Sequence, residues 1–312
     1  MQMMEEMVKS VVEISEGGEA VDVGRIAFGT ILNLLSNTFF SFDMIDQKSK
    51  RVEEIKEIIW RIMDLAGKPN VADYFPLLRS FDPQGIRREI KVCYDRLHSL
   101  LEDIIHARVQ RRASGSARSG DFLDVLLDYS HEHGDDFSLR DIKLLLSALF
   151  IGGTDTTTTT LEWAMCKLLQ PDLNVTCRAS EALRNNRCRS DIKDRISLVF
   201  YAYKAVLKEE ETLLTGPIRT VFLPERFLGS EIDFTGSIFC FIPFGAGRRM
   251  YPAQPLAERM SGDDVGYLLN RFHWKLPKGM TPEEMDMKDK LGIQLHKATP
   301  LIAVPFVIVD GE

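Results

Sequence analysis

The feature that most constrains the fold is a helical segment from Ser138 to Gln170. Its first residues, Ser-Leu-Arg-Asp, have the pattern of a capping box, with Ser138 as the cap and Asp141 three residues later. At about 1.5 Å per residue, this segment makes a helix roughly 50 Å long, which must cross the whole body of a protein of this size. Residues 144–151 and 161–169 are apolar on most sides, as in a buried helix. The sequence therefore predicts a mainly α-helical fold built around one long central helix.

The centre of this helix is polar, where a buried helix normally carries Leu and Ala. Residues 152–160 read Gly-Gly-Thr-Asp followed by five threonines. Each Gly costs about 1 kcal/mol relative to Ala, and each Thr costs several tenths. One interpretation is that the helix unwinds locally and places Asp155 and Thr156 beside a bound molecule, as an acid and an alcohol that deliver protons. The alternative is that the threonines are partly exposed and the glycines allow another helix to approach closely.

The composition excludes several classes of protein. The chain has 312 residues, of which 45% are hydrophobic and 27% charged, and its net charge is −7. This balance is typical of a globular protein, and it argues against nucleic acid as a partner because nucleic-acid affinity depends mainly on phosphate neutralisation. The N-terminal segment carries acidic residues and does not reach the ~20 consecutive apolar residues of a membrane span. The five cysteines form no Cys-x-x-Cys pair, which indicates a reducing compartment.

Other parts of the chain also show regular patterns. Apolar residues at spacings of three and four predict further helices, and a segment rich in Gly, Ser and charge predicts an exposed linker at 111–120. Two apolar segments near the C-terminus are typical of β-strands. The predicted helices include two within the first 40 residues, the second at 26–40, and others at 48–67, 86–112, 122–130, 196–214 and 256–272; the predicted strands lie at 291–295 and 301–309.

The polar centre of the long helix resembles a known motif. Residues 150–165, FIGGTDTTTTTLEWAM, are similar to the central helix of the cytochrome P-450 family of haem-thiolate monooxygenases, whose pattern is (Ala/Gly)-Gly-x-(Asp/Glu)-Thr-(Thr/Ser). The residues that match this pattern are Gly152, Gly153, Asp155, Thr156 and Thr157. The resemblance implies that Asp155 and Thr156 line the oxygen-binding groove of such an enzyme and relay protons.

Two further motifs resemble the same family and follow in the same order. PERF at 224–227, which includes Arg226, is similar to the family's meander motif. IPFGAGRR at 242–249 is similar to the haem-binding loop Phe-x-x-Gly-x-Arg-x-Cys-x-Gly, which Phe244, Gly247 and Arg249 match. The surrounding sequence, including DPQGIRR and GKPNVADYFPLLR, resembles the sequences of the plant terpenoid-hydroxylating branch, such as geraniol hydroxylases.

The loop departs from the family pattern at the position of the metal ligand. The family's axial ligand is the Cys two residues after the Arg, and counting from Arg249 reaches Tyr251. The Gly two residues further on is Ala253. A thiolate ligand favours O–O cleavage, whereas a Tyr ligand, as in catalase, gives the haem iron different reactivity. Cys240 precedes the loop, so we do not expect it to replace the ligand. The alternative for Tyr251 is a side chain that binds no iron.

Two internal segments also depart from the family pattern. The family's Glu-x-x-Arg pairs with the meander Arg, but no Arg stands three residues after any of Glu209–Glu211, so Arg226 cannot form the complete network. Only nine residues separate Leu214 from Pro224, where the family carries a β-region that lines the substrate pocket. The family's N-terminal anchor and pocket half are not matched either. The resemblance thus predicts one incomplete domain over residues 1–312, the C-terminal part of the cytochrome P-450 fold with a few short β-segments.

The resemblance also implies a function. It predicts a haem-dependent monooxygenase that inserts one atom of O2 into a small apolar, terpenoid-like substrate, with NADPH-cytochrome reductase as the electron donor. The residues assigned to the haem are Gly152, Gly153, Phe244, Gly247 and Arg249, which would hold a propionate. The metal position is that of Tyr251, so we expect impaired activity.

The resemblance leaves two other functions and two locations open. The functional alternatives are a non-catalytic remnant, such as a pseudogene product, and a Tyr-ligated haem protein with peroxidase-like activity. The family lies on the cytoplasmic face of the endoplasmic reticulum, and for this chain without the family's anchor we expect a cytoplasmic location.

Overall fold

A computed structural model describes the chain at residues 11–13, 18–45, 51–115, 117–134, 136–169, 242–257, 260, 268, 271–290 and 292–308. The helices are α1 (Val23–Phe40), α2 (Arg51–Ala66), α3 (Val71–Tyr74), α4 (Ile86–Ala113), α5 (Phe122–Glu132) and α6 (Leu139–Leu168). The strands are β1 (Val21–Asp22), β2 (Phe272–Lys275), β3 (Asp289–Lys290), β4 (His296–Lys297) and β5 (Ile302–Val307). The predicted mainly α fold with a few short β-segments is confirmed.

The helices predicted from apolar spacing between residues 26 and 168 are confirmed. In the predicted capping box of α6, the observed side-chain hydrogen bonds are accepted by the Asp141 carboxylate. It accepts from the Ser138 backbone N–H at 2.8 Å and from the Ser138 hydroxyl at 2.6 Å. Helix α4 continues to Ala113, so the first part of segment 111–120 is helical, and the described residues after it are exposed.

The C-terminal predictions are confirmed in part. Strand β5 lies within the predicted segment 301–309. The predicted strand at 291–295 is wrong at its described residues, 292–295, which lie between strands β3 and β4 and belong to neither. Their backbone packs against the end of α2, where a Cβ added at Gly67 would lie only 2.7 Å from the Ile293 nitrogen.

The predicted helix at 256–272 is observed only at its described residues, which are 256, 257, 260, 268 and 271, and Phe272 already belongs to β2. The predicted helix at 196–214, the carboxylates Glu209–Glu211, Arg226 and Cys240 lie outside the described residues.

The chain divides into two compact units. We call Phe28–Thr156 with Asp289–His296 the helical unit, and Met1–Ala27 with Thr157–Lys288 and Lys297–Glu312 the sheet unit. Helices α1 and α6 each contribute residues to both units. No helix in the described part of the chain combines the length and the apolar character needed to cross a membrane.

The helical unit has an aromatic core and an ion pair between two helices. Phe150 of α6 packs edge-on against Phe39 and stacks on Phe40, with ring centroids 5.2 and 5.7 Å apart. Arg61 of α2 reaches Glu89 of α4, with Nη2 2.6 Å from the carboxylate. Buried rings of this size contribute strongly to packing, so the centre of α6 is held in a well-packed environment.

The sheet unit is built around β5. This strand pairs antiparallel with β1 on one side and β2 on the other, with Val21 opposite Ala303 and Trp274 opposite Pro305. Just before β5, the Leu301 carbonyl accepts a hydrogen bond from Val23 N–H at 3.0 Å. The Leu301 N–H in turn donates to the buried Glu162 carboxylate of α6 at 2.8 Å. These two bonds tie the start of α1 and the second half of α6 to the sheet.

Candidate active site

Two threonine hydroxyls in the polar centre of α6 form hydrogen bonds along the helix itself. Thr154 Oγ1 donates to the Phe150 carbonyl at 2.6 Å, and Thr156 Oγ1 donates to the Gly152 carbonyl at 2.7 Å. Threonine hydroxyls that bond back by one turn satisfy their polar groups without leaving the helix. The helix is α-helical without a break from Leu139 to Leu168, so the predicted local unwinding is wrong.

The second interpretation of the glycines, close approach of another helix, is supported at Gly153. A Cβ added there would lie 3.0 Å from Cδ1 of Leu35, a buried residue of α1 in the same unit. This separation is shorter than an ordinary carbon–carbon contact of about 3.5–4.0 Å. Gly153 therefore allows α1 and α6 to pack at close range.

Asp155 and Thr156 point in different directions. In an α-helix, successive side chains are about 100° apart around the axis. Asp155 is fully buried, whereas Thr156 is exposed. The Thr156 hydroxyl donates to a carbonyl one turn back, and neither carboxylate oxygen of Asp155 has a hydrogen-bond partner among the described residues. The two residues predicted to relay protons are thus adjacent in sequence but are not joined by a hydrogen bond.

The surroundings of Asp155 come from the C-terminal segment. Its Oδ2 lies 3.3 Å from Nε2 of His296, an ion-pair distance whose angles do not make a hydrogen bond. Gln294 Nε2 donates to the Asp155 backbone carbonyl at 3.2 Å. The His296 ring packs against Trp60 of α2, with centroids 5.1 Å apart. All four residues belong to the helical unit.

The loop predicted to bind haem has a well-defined backbone within the sheet unit. Gly245 and Gly247 have φ values of +74° and +69°, and Gly247–Arg249 form a single 3₁₀ turn. Positive φ is readily adopted only by Gly, which explains two of the loop's glycines. The Tyr251 N–H donates to the Phe244 carbonyl at 2.9 Å and closes the loop. Arg249 is exposed.

The Tyr251 side chain packs against the first aromatic residue of this loop. The rings of Phe244 and Tyr251 are 6.1 Å apart between centroids and nearly parallel, with an angle of 14°. Burial raises the pKa of the Tyr251 phenol above its usual value. The structure thus brings together Phe244, Gly247, Arg249 and Tyr251 in one unit, and Gly152, Asp155 and Thr156 in the other.

Comparison with known proteins identifies the family. The family model described as cytochrome P450 matches residues 1–209 and 220–303. The chain belongs to the cytochrome P450 family. The match is interrupted between residues 209 and 220, which overlaps the segment between Leu214 and Pro224 where the sequence is shorter than the family pattern.

Plant enzymes are among the relatives of this cytochrome P450. The chain is 37% identical to geraniol 8-hydroxylase of Catharanthus roseus, over 97% of the chain and 69% of the relative. It is 37% identical to geraniol 8-hydroxylase of Swertia mussotii, over 96% of the chain and 69% of the relative. It is 34% identical to drimenol monooxygenase of Persicaria hydropiper, over 99% of the chain and 69% of the relative. These similarities confirm the expected branch of plant terpenoid cytochromes P450.

Haem is the cofactor of this family, and the residues present can be tested for their fit to it. The loop has two glycines with positive φ, of which Gly247 matches the family pattern, and it has the exposed Arg249. Its donor atom does not fit, because position 251 carries a phenol that lies against Phe244 and no sulfur. The two free cysteines of the described residues, Cys93 and Cys166, are both buried in helices. The described residues therefore do not fit a thiolate-ligated haem.

The sequence analysis missed His296 as a neighbour of the central acid. The two residues are distant in sequence, and an isolated His carries no local signal of its partner. One signal was available: Gln294 and His296 are two residues apart, a spacing that places side chains on one face of an extended segment.

Proposed function

We propose that this cytochrome P450 derives from the terpenoid-hydroxylating branch and that its thiolate-dependent monooxygenation is impaired. The observation that carries the proposal is Tyr251, which stands two residues after Arg249 in a loop whose sequence matches the family pattern at Phe244, Gly247 and Arg249. A thiolate ligand donates electron density that favours O–O cleavage, and a phenol does not replace it. The change therefore affects the chemistry more than the fold.

The interrupted family match supports impairment independently of Tyr251. The alignment with the Catharanthus roseus enzyme has 346 positions, and this chain has 312 residues, so at least 34 aligned positions have no counterpart here. In the sequence, Leu214 and Pro224 are separated by nine residues where the family pattern carries pocket-lining structure. We propose that the substrate pocket is incomplete at this place.

The remaining roles are assigned by family resemblance. We propose Thr156 and Asp155 as the hydroxyl and acid of the ancestral proton relay, and Gly152, Gly153, Phe244, Gly247 and Arg249 as residues that face or surround the cofactor. Family members receive electrons from a redox partner, and we propose NADPH-cytochrome reductase for this chain. The substrate class is a small terpenoid-like molecule, as the relatives named for geraniol and drimenol suggest. We propose the cytoplasmic face of the endoplasmic reticulum as its location.

A spectrum of the purified chain tests the proposal. Haemin is added, and the spectrum of the reduced, carbon monoxide-treated protein is recorded. We expect no thiolate-type Soret shift, and its presence would overturn the claim that Tyr251 removes the family chemistry. The matched variant is Tyr251→Cys, which restores the sulfur donor. If this variant produces a thiolate spectrum, Tyr251 is the main defect; if it binds no haem, the missing internal segment is the main defect and the chain is a non-catalytic remnant.

A second candidate is a haem protein with Tyr251 as the ligand and peroxidase-like activity. The position of Tyr251, where the family pattern places the metal ligand, favours this candidate, whereas the packing of the ring on Phe244 counts against it. A phenolate-type ferric spectrum that disappears in Tyr251→Phe would support this candidate.

A further inference from the structure

A cluster of buried polar groups surrounds Asp155 on the side of the C-terminal segment. Both Asp155 carboxylate oxygens, the Trp60 indole nitrogen and the Gln294 amide oxygen are buried, and none has a hydrogen-bond partner among the described residues. Leaving a buried carboxylate without compensation costs several kcal/mol. The cluster therefore requires a neighbouring polar group whose charge or dipole stabilises the Asp155 side chain.

His296 is the group that can do so. Its Nε2 lies 3.3 Å from Asp155 Oδ2 and is the single nitrogen of a Lys, Arg or His side chain within 4.0 Å of that carboxylate in the described part of the chain. The exposure of the His296 side chain is 16%, and that of Asp155 is 0%, so water screens this contact weakly.

The rest of the segment holds His296 in place. The Trp60 ring of α2 packs on the imidazole at 5.1 Å, and Gln294 is bonded to the Asp155 carbonyl at 3.2 Å. The backbone at Ile293 lies so close to Gly67 that no side chain fits there. Segment 292–296 is thus in contact with both α2 and α6, and His296 cannot swing freely.

We propose that His296 is a positioning residue for Asp155. The contact of its Nε2 with Asp155 Oδ2 at 3.3 Å keeps the carboxylate against segment 292–296. To move its carboxylate towards the Thr156 hydroxyl, Asp155 must give up the contact with His296. His296 therefore determines the direction in which the central acid points, and it does so through residues of the helical unit alone.

The first test needs no substitution and no cofactor. Long-range ¹H–¹⁵N NMR spectra of the full chain report which ring nitrogen of a His carries a proton. We expect a proton on Nε2 of His296, assigned by its loss in His296→Gln. A neutral ring with its proton on Nδ1 alone would place a lone pair against the carboxylate and would overturn the proposal.

The second test is a double-mutant cycle with Asp155→Asn and His296→Gln. Each single substitution is expected to lower the thermal midpoint, and the double variant to lower it by less than the sum, with a difference of at least about 2 °C. His296→Leu is expected to destabilise more than His296→Gln, because Gln keeps an N–H donor near Nε2. The matched control is His98→Gln, since His98 also has a buried Nε2 without a hydrogen-bond partner but has no ion pair with Asp155. The changes in thermal midpoint from Asp155→Asn and His98→Gln are expected to add. If the changes from Asp155→Asn and His296→Gln also simply add, the proposal is contradicted.

Discussion

The buried ion cluster around Arg108 makes the strongest stability prediction. Arg108 of α4 binds Asp121 with two hydrogen bonds of 2.7 and 2.8 Å, and its Nη1 lies 3.1 Å from Asp124. Its Nη2 also donates to the Phe40 carbonyl at 2.8 Å. The Arg108 side chain is 7% exposed, and those of Asp121 and Asp124 are 3% and 4% exposed. The Arg108 guanidinium therefore compensates Asp121, and together with Arg112, whose Nε lies 3.8 Å from Asp124 Oδ1, it compensates Asp124.

Arg108→Met removes this charge and keeps much of the side chain's length. Removing one partner of a buried ion pair typically costs 3–5 kcal/mol, because the other charge stays buried without compensation. No reduction for solvent screening applies, since all three side chains are almost fully buried. We therefore expect Arg108→Met to lower the free energy of unfolding of the helical unit by about 3–5 kcal/mol at pH 7.

Urea unfolding followed by Trp60 fluorescence, in a background with the other two tryptophans changed to Phe, measures this loss in the helical unit. The expected shift of the midpoint is about 1–2 M. The control is Lys91→Met on the same helix, which removes an ion pair to Asp95 whose side chains are 74% and 58% exposed. Such a surface pair contributes about 0–1 kcal/mol. If Arg108→Met and Lys91→Met lower the free energy of unfolding equally, burial is not the reason for the contribution of Arg108.

The same cluster predicts a pH dependence. Burial alone would raise the pKa of Asp121 and Asp124, but hydrogen bonds and charge, chiefly from Arg108 and from backbone N–H groups, outweigh it and lower both pKa values. Carboxylates with lowered folded-state pKa values stabilise the fold above their unfolded value of about 3.9, and this stability is lost as the pH falls through the folded pKa. The difference between wild type and Arg108→Met should therefore shrink below about pH 4. A difference that stays constant from pH 7 to pH 3 would contradict this account.

Three further predictions concern packing and thiol reactivity. Gly24→Ala places a Cβ 3.1 Å from the Glu162 carboxylate, so the free energy of unfolding measured by thermal denaturation should fall by about 1–3 kcal/mol. An unchanged free energy of unfolding would mean that Glu162 moves aside without cost. Gly153→Val should lower the free energy of unfolding by a similar amount, and adding Leu35→Ala should recover part of this loss in a double-mutant cycle. If the losses of the two substitutions simply add, the close contact between Gly153 and Leu35 is excluded. Burial raises the pKa of the Cys166 thiol to about 12, so mass spectrometry should find it unmodified by iodoacetamide at pH 8 in the folded chain and alkylated in urea. Alkylation of the folded chain would contradict the burial.

The sequence was sufficient to predict the long helices between residues 26 and 168, because their buried residues recur at helical spacing. Helix α2 illustrates this: Val52, Ile55, Ile59 and Ile62 are buried at intervals of three and four residues. The predicted strand at 291–295 failed for a related reason. A short apolar run does not identify its partner or ensure burial: Ile293 is 58% exposed, and only its backbone packs against the end of α2.

The polar centre of α6 shows where local patterns are not enough. The propensity cost of Gly153 is visible in the sequence, but its compensation is the close packing with Leu35 of another helix. The cost of Asp155 is equally visible, and its compensation comes from His296, far along the chain. A single sequence shows that such residues need an explanation and cannot select between a bound molecule and a packed neighbour.

In the loop predicted to bind haem, the residues that determine the backbone shape differ from the side chain on which the proposed chemistry depends. Its shape depends on Gly245 and Gly247, which accept positive φ, and on the hydrogen bond from the backbone N–H of residue 251 to Phe244. Every residue type except Pro supplies that N–H, so the loop can close whether position 251 holds Cys or Tyr. Similarity over nearly the whole chain therefore establishes the fold, while the thiolate chemistry that we propose to be lost depends on one side-chain atom that the similarity does not measure. This is why Tyr251→Cys, which changes that atom and leaves the backbone hydrogen bond in place, is the most informative substitution in this protein.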